Sequence, residues 1–330
     1  MTAAAHSVVG LEDLARRAAH GDRRALSQVL SVLERGGASA DLMAGELHLH
    51  AGETFTVGLT GSPGAGKSTL TDALVTEVRG RGERVAVAAI DPSSPFTGGA
   101  ILGDRVRLRS EHAQDDDVFM RSFSNRGHLG GLSRAVPDVV RAFGACGWST
   151  VIVETVGVGQ VEVEIAGQAD TTVVVVNPGW GDEVQANKAG LLEVADVLIV
   201  NKADRDGAGS TMRDLRQMLA MAPDRDWTPP IIPTVAITAD GVAEAWEAIL
   251  GHHDHAVASG ELERRRTARR EREFQARVLR ELVIAMQRTE CTDPGRALLH
   301  RVRSGETAVG AAVSELVELV VRQWGADRVY

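Results

Sequence analysis

Three sets of residues have types and spacings that could do chemistry. The first is Gly61-Ser62-Pro63-Gly64-Ala65-Gly66-Lys67-Ser68, which fits the spacing G-x-x-x-x-G-K-[ST]. Glycines at these intervals let a backbone curl until its N–H groups face phosphate oxygens. Lys67 then reaches the β and γ phosphates, the Ser68 hydroxyl is a Mg²⁺ ligand, and Thr69 falls by the α phosphate. The second set is Asn201-Lys202-Ala203-Asp204. A carboxylate at Asp204 accepts from the N1–H and exocyclic amine of guanine. Adenine has neither donor in that geometry and would strand the acid, so the pattern selects guanine. The Lys202 stem lies over the base and Asn201 braces neighbouring loops. The third set is acidic. Asp91 and Glu154 each follow an apolar run, where a carboxylate beside a phosphate loop can hold Mg²⁺ directly or through water.

Around these sit lesser candidates. Gly157, in Glu154-Thr155-Val156-Gly157, can bring its N–H to a γ phosphate. Most GTP-hydrolysing proteins have Asp where Glu154 stands, so the longer side chain predicts a shifted or water-mediated metal contact. Thr238-Ala239-Asp240 follows the run Ile231–Ile237 and sits where guanine-nucleotide proteins place a backbone loop, usually Ser-Ala, against guanine O6. The turn-rich stretch from Asp91 to Arg105 reads as a nucleotide-ordered loop, with Asp104 and Arg105 near metal-bound water and phosphate.

The elements that must position these groups are legible. Thr56–Thr60, Val85–Ile90, Thr150–Val153, Thr171–Val176 and Val197–Val200 are short β-branched runs, several apolar on successive residues, as buried parallel strands require. Val118–Phe123 and Ile231–Ile237 are further strand candidates. Helical patterns at Lys67–Arg79, Gly131–Ala145 and Ser210–Ala222 alternate with them. The expected fold is α/β: a doubly wound, mostly parallel sheet at residues 53–250 with helical extensions at 1–52 and 251–330. In the last of these, helices are expected at Glu261–Arg288, Pro294–Val302 and Thr307–Trp324. The Arg-rich start of the long helix reads as a solvated face with i,i+4 pairs.

Composition narrows the function. With 36 Lys and Arg against 45 Asp and Glu, the net charge is −9, which argues against a general nucleic-acid or anionic-membrane binder. Cys146 and Cys291 form no CxxC pair, as suits a reducing compartment. Neither a leader nor a stretch of about 18 apolar residues is evident, so a cytoplasmic protein is expected.

Taken together, GSPGAGKST, DPSSPFTGGAILGDRVR, HLGGLSRA, ETVGVGQVEVE and GDEVQANKAGLLEVADVLIVNKAD resemble the MeaB/ArgK family of P-loop GTPases. The resemblance implies GTP and GDP as ligands with Mg²⁺ and a homodimer joined partly through C-terminal helices. It also implies a chaperone role toward an adenosylcobalamin-dependent acyl-CoA mutase, typically methylmalonyl-CoA mutase, gating cofactor delivery and protecting the enzyme. Two departures stand out: the family usually has Lys where Arg105 stands, and a Gly-Ile pair and a lysine are replaced in the loop that keeps Asp182, Gln185 and Lys188. That loop is read as coupling to the partner, so a mutase for another acyl-CoA is allowed. No Gln directly follows Gly157, and Gln160 is three residues further on, so slow intrinsic hydrolysis is expected. Two other readings stay open: a small-molecule kinase using the same loop, and a metal-insertion GTPase using His252, His253 and His255. For those three histidines a solvated connector is the expected setting.

Overall fold

Strands that are apolar on both faces need cover on both faces, and the chain provides it. The computed structural model describes residues 8–50, 52–92, 112–125, 135–155, 165–179, 190, 192–221 and 226–326. Seven strands form one sheet: β1 (Phe55–Gly61), β2 (Val85–Pro92), β3 (Val118–Asn125), β4 (Thr150–Thr155), β5 (Thr171–Val176), β6 (Val197–Asn201) and β7 (Ile231–Thr234). Their order is β3-β2-β4-β1-β5-β6-β7, and every neighbouring pair is parallel. All residues of β4, β5 and β6 are buried. The chain leaves β1 for β2 on one side and later enters β5 on the other. The carboxyl end of β1 is therefore the crevice where doubly wound sheets take ligands.

Helices cover both faces. On one side, α1 (Val8–Ala19), α2 (Arg23–Arg35) and α3 (Ala38–His48) join α5 (Val136–Ala145) over β2, β3 and β4, sharing a core that includes Leu30, Met43, Phe143 and Trp148. Asp22 caps α2 by accepting from the backbone of Arg24 and Ala25. On the other side, α4 (Lys67–Gly80) and α7 (Val242–Ala258) close over Val57, Leu59, Val173 and Ile199. α6 (Ala208–Ala220) lies on β5 and β6.

The chain then continues into α8 (Glu261–Glu290), α9 (Asp293–Arg303) and α10 (Val309–Ala326). It divides into two compact units, residues 1–266 and 267–330. The first contains the sheet and α1–α3. The anticipated limit at residue 250 falls inside α7, which runs unbroken through Gly251. In the second unit, Thr292 caps α9, Arg301 pairs with Glu315 at 2.6 Å, and the Thr289 hydroxyl lies 3.0 Å from Gln323 Oε1.

Candidate functional site

The loop after β1 takes a shape that side chains would block. Gly61 has φ +134°, and a Cβ there would fall 1.9 Å from the Val175 carbonyl oxygen. Gly66 has φ +89°, and a Cβ would fall 2.6 Å from Asn201 Nδ2. These two glycines let the loop lie against β5 and the end of β6 at once. The Lys67 ammonium is buried and donates to the carbonyls of Gly61 (2.5 Å) and Ser62 (3.0 Å). Phosphate oxygens arriving at the N-terminus of α4 compete for those donors and meet the positive end of the helix dipole.

Behind Lys67, α4 turns Ser68 toward the sheet. Its hydroxyl donates to Glu154 Oε1 at 2.5 Å, and the Thr71 hydroxyl donates to Oε2 at 3.2 Å. Glu154 is fully buried at the end of β4, where it pairs in register with Leu59 of β1 and Ala89 of β2. Asp91, also fully buried, ends β2 just beyond that register. The Ser68 hydroxyl and the Glu154 carboxylate, with Asp91 two residues beyond Ala89, offer oxygen donors of the kind that suits Mg²⁺ rather than a soft metal.

Asn201 ties the turn after β6 to the loop. Its Nδ2 donates to Ala65 O (2.8 Å), while its Oδ1 accepts from Thr234 Oγ1 (3.1 Å) and the Ala236 N–H (3.2 Å). Lys202 follows with φ +59° and donates from Nζ to Gly64 O at 2.6 Å. The Ala203 N–H donates to Thr234 O, and Asp204 stands exposed beside it. The model for the family described as methylmalonyl Co-A mutase-associated GTPase MeaB matches residues 23–291.

The chain belongs to the MeaB family of GTPases. A Pyrococcus horikoshii protein named as a GTPase is 46% identical over 267 residues, covering 80% of this chain and 84% of that one. GTPase ArgK of Escherichia coli K12 is 36% identical, covering 77% and 79%. The Caenorhabditis elegans homolog of methylmalonic aciduria type A is 33% identical, covering 80% and 67%. A solved LAO/AO transport system kinase superposes with TM-score 0.68 at 25% identity, over 94% of this chain and 98% of that one.

Within this MeaB-family fold, Gly61 through Thr69, Glu154, Asp91, Asn201, Lys202 and Asp204 gather along the carboxyl edge of the sheet. Asp104, Arg105, Gly157, Gln160, Asp182, Gln185 and Lys188 lie outside the described residues. One strand is shorter than the expected Ile231–Ile237. β7 ends at Thr234, because it is a short edge strand carrying Pro233, which has no N–H for a ladder. The segment bonded to Asn201 is therefore Thr234–Ala236. Thr238-Ala239-Asp240 forms a separate turn: Val235 bridges Asp240, the Thr238 hydroxyl donates to Asp240 Oδ2 (2.7 Å), and Ala239 has φ +63°.

A correction concerns the histidine run, which is helical rather than a solvated connector. His252 is fully buried in α7, with Nδ1 2.8 Å from Thr171 Oγ1 and Nε2 3.2 Å from Asp196 Oδ1. Both ring nitrogens are engaged, which leaves it no lone pair for a metal. The Arg-rich face is not wholly solvated either. Arg265 forks onto Asp196 at 2.8 and 3.0 Å, and Arg266 reaches Asp170 at 2.8 Å.

Sequence reasoning passed over three residues at the site. Thr71 was findable, since it lies one helical turn beyond Ser68 on the same face. Asn177, whose Oδ1 accepts from the Ser62 hydroxyl at 3.3 Å, is the first polar residue after the apolar run of β5. Thr234 carries no such signal, because the residues around it have the pattern of a continuous strand.

Proposed function

We propose that this chain binds GTP and GDP with Mg²⁺, hydrolyses GTP slowly, and acts as a chaperone of an adenosylcobalamin-dependent acyl-CoA mutase. The observation that carries the nucleotide part is the convergence of Lys67, Ser68 and Glu154 at one end of a phosphate loop that Asn201 ties to a guanine-type recognition turn. Lys67 neutralises charge that develops on the β–γ bridging and γ oxygens, and the loop N–H groups hold the phosphates in line for attack by water. Ser68, Glu154 and Asp91 would hold the cation, which supplies further neutralisation of the phosphates when bound. Slow turnover follows from the lack of a Gln directly after Gly157, so ordering of Asp104, Arg105 and the 182–188 loop by a partner would raise the rate.

The mutase part rests on the family's own description and on relatives such as the methylmalonic aciduria type A homolog. A homodimer is supported by the second compact unit. Val309, Val313, Val317 and Val321 recur every fourth residue along α10, and all are exposed, as are Phe274, Val278 and Leu282 on α8. Among the described residues no helix is long and apolar enough to cross a membrane, and the work is assigned to the cytoplasm on the scarcity of cysteine.

Calorimetry with GDP, GTP and ADP tests the first part: guanosine nucleotides bind far more tightly, and comparable ADP affinity would return the small-molecule kinase. Titration of purified methylmalonyl-CoA mutase with the GTP-analogue-loaded chain tests the second. A complex and a raised GTP hydrolysis rate are expected, and their absence with every acyl-CoA mutase of the host would refute the chaperone role.

A further inference from the structure

We infer that Thr71 is a positioning residue for magnesium: its hydroxyl holds the second oxygen of Glu154 so that the first, with Ser68, is presented to the cation. This rests on the reading of Glu154 as part of the magnesium site. Thr71 is 1% exposed and donates to Oε2 at 3.2 Å, while Ser68, three residues earlier on the same helix face, donates to Oε1 at 2.5 Å. The two hydroxyls of one helical turn thus take one oxygen each of a carboxylate that is itself fully buried.

A threonine inside a helix has an easier partner. It can return its proton to the carbonyl four residues back, as Thr76 does on this same helix by donating to Asp72 O at 3.1 Å. Thr71 gives its proton to Glu154 instead. Glutamate carries one more rotatable bond than the aspartate usual at such strand ends, so its carboxylate plane is freer to turn. A hydrogen bond on Oε2 removes that freedom, and Ser68 can keep its own proton on Oε1 while its lone pair faces a cation. Groups that orient a metal-binding carboxylate in this way set metal affinity without touching the metal.

The test uses the full-length chain and a fluorescent GDP analogue titrated with Mg²⁺. Thr71→Val keeps the shape and removes the donor; Thr71→Ser keeps the donor and removes the methyl group. In Thr71→Val the Mg²⁺ concentration giving half of the tightening of GDP rises roughly tenfold, while GDP affinity in excess EDTA matches wild type. Thr71→Ser restores the wild-type magnesium curve. Should Thr71→Val fold poorly, Thr71→Ala reads the same quantity. Superimposable magnesium curves for wild type and the donor-less variant overturn the proposal and leave the metal reading standing, as does equal loss of GDP affinity with and without Mg²⁺. Wild-type protein whose GDP affinity ignores Mg²⁺ overturns both.

Discussion

The two edges of the sheet both bury acids, and they satisfy them with opposite chemistry. At the amino edge, Asp170 accepts the Thr56 N–H and a two-pronged Arg266, and Asp196 accepts the Thr172 N–H, a forked Arg265 and His252. Each acid pins a strand entry and is neutralised by a guanidinium whose geometry matches it. At the carboxyl edge, Glu154 meets hydroxyls from Ser68 and Thr71. A hydroxyl carries no charge, can rotate, and can share its oxygen with a cation. The amino edge is built to stay as it is, and the carboxyl edge is built to change partners.

The sharpest attack on this contrast is Asp196→Ala. It takes their acceptor from the buried Thr172 N–H and His252 and leaves Arg265 with Glu261 and the Asp170 carbonyl, which costs about 3–5 kcal/mol in urea unfolding, while the protein that remains folded binds GDP as before. Weakened GDP binding at unchanged stability would invert the two roles. The mirror experiment is Lys67→Ala, for which single-turnover GTP hydrolysis falls about 10²- to 10³-fold with little movement of the urea midpoint. Asp204→Asn, which replaces an acceptor by a donor opposite guanine, loosens GDP by about two orders of magnitude in calorimetry and again spares stability.

Smaller effects sharpen the same contrast. Burial works against ionisation of Asp196, but hydrogen bonds from His252 and Arg265 outweigh it and hold the carboxyl below its ordinary value. Its contribution to stability is thus complete above the unfolded aspartate value of about 3.9 and disappears as pH falls through the lower folded one. Acid titration of stability should be steeper in wild type than in Asp196→Asn; parallel curves would mean that Asp196 is not one of the acids that resist protonation. Last, burial, opposed by Arg84, pushes the Cys146 thiol up to about 11. A thiol reagent near neutral pH should label exposed Cys291 and reach Cys146 only after unfolding.

Much of the carboxyl edge was legible because phosphate and guanine chemistry demands particular residues at particular spacings. Gly61, Gly66, Lys67 and Ser68 are local in sequence, and the curl that joins them is dictated within eight residues. Asn201 and Asp204 are equally local to their own turn. The amino edge was not legible. Arg265 and Arg266 sit among glutamates four residues away, and short-range charge patterning favours a solvated helix until the strand entries of β5 and β6 are placed beneath them. His252 shows the same failure, since a histidine beside Asp254 and His255 looks solvated unless the helix phase and the depth of α7 are known.

By itself, the sequence determined the class of the fold, the glycine-rich curl after β1 and the turn after β6, since each follows from apolar periodicity or from backbone freedom over a few residues. Tertiary structure alone decided which hydroxyls orient Glu154, which of the loops after β7 meets Asn201, and which arginines leave solvent to lock the strand entries. Two of those outcomes depend on pairs more than sixty residues apart, Arg265 with Asp196 and Ser68 with Glu154, and the third on Asn201 with Thr234 and Ala236, more than thirty apart. Only a parallel sheet of this order brings such pairs within hydrogen-bonding distance.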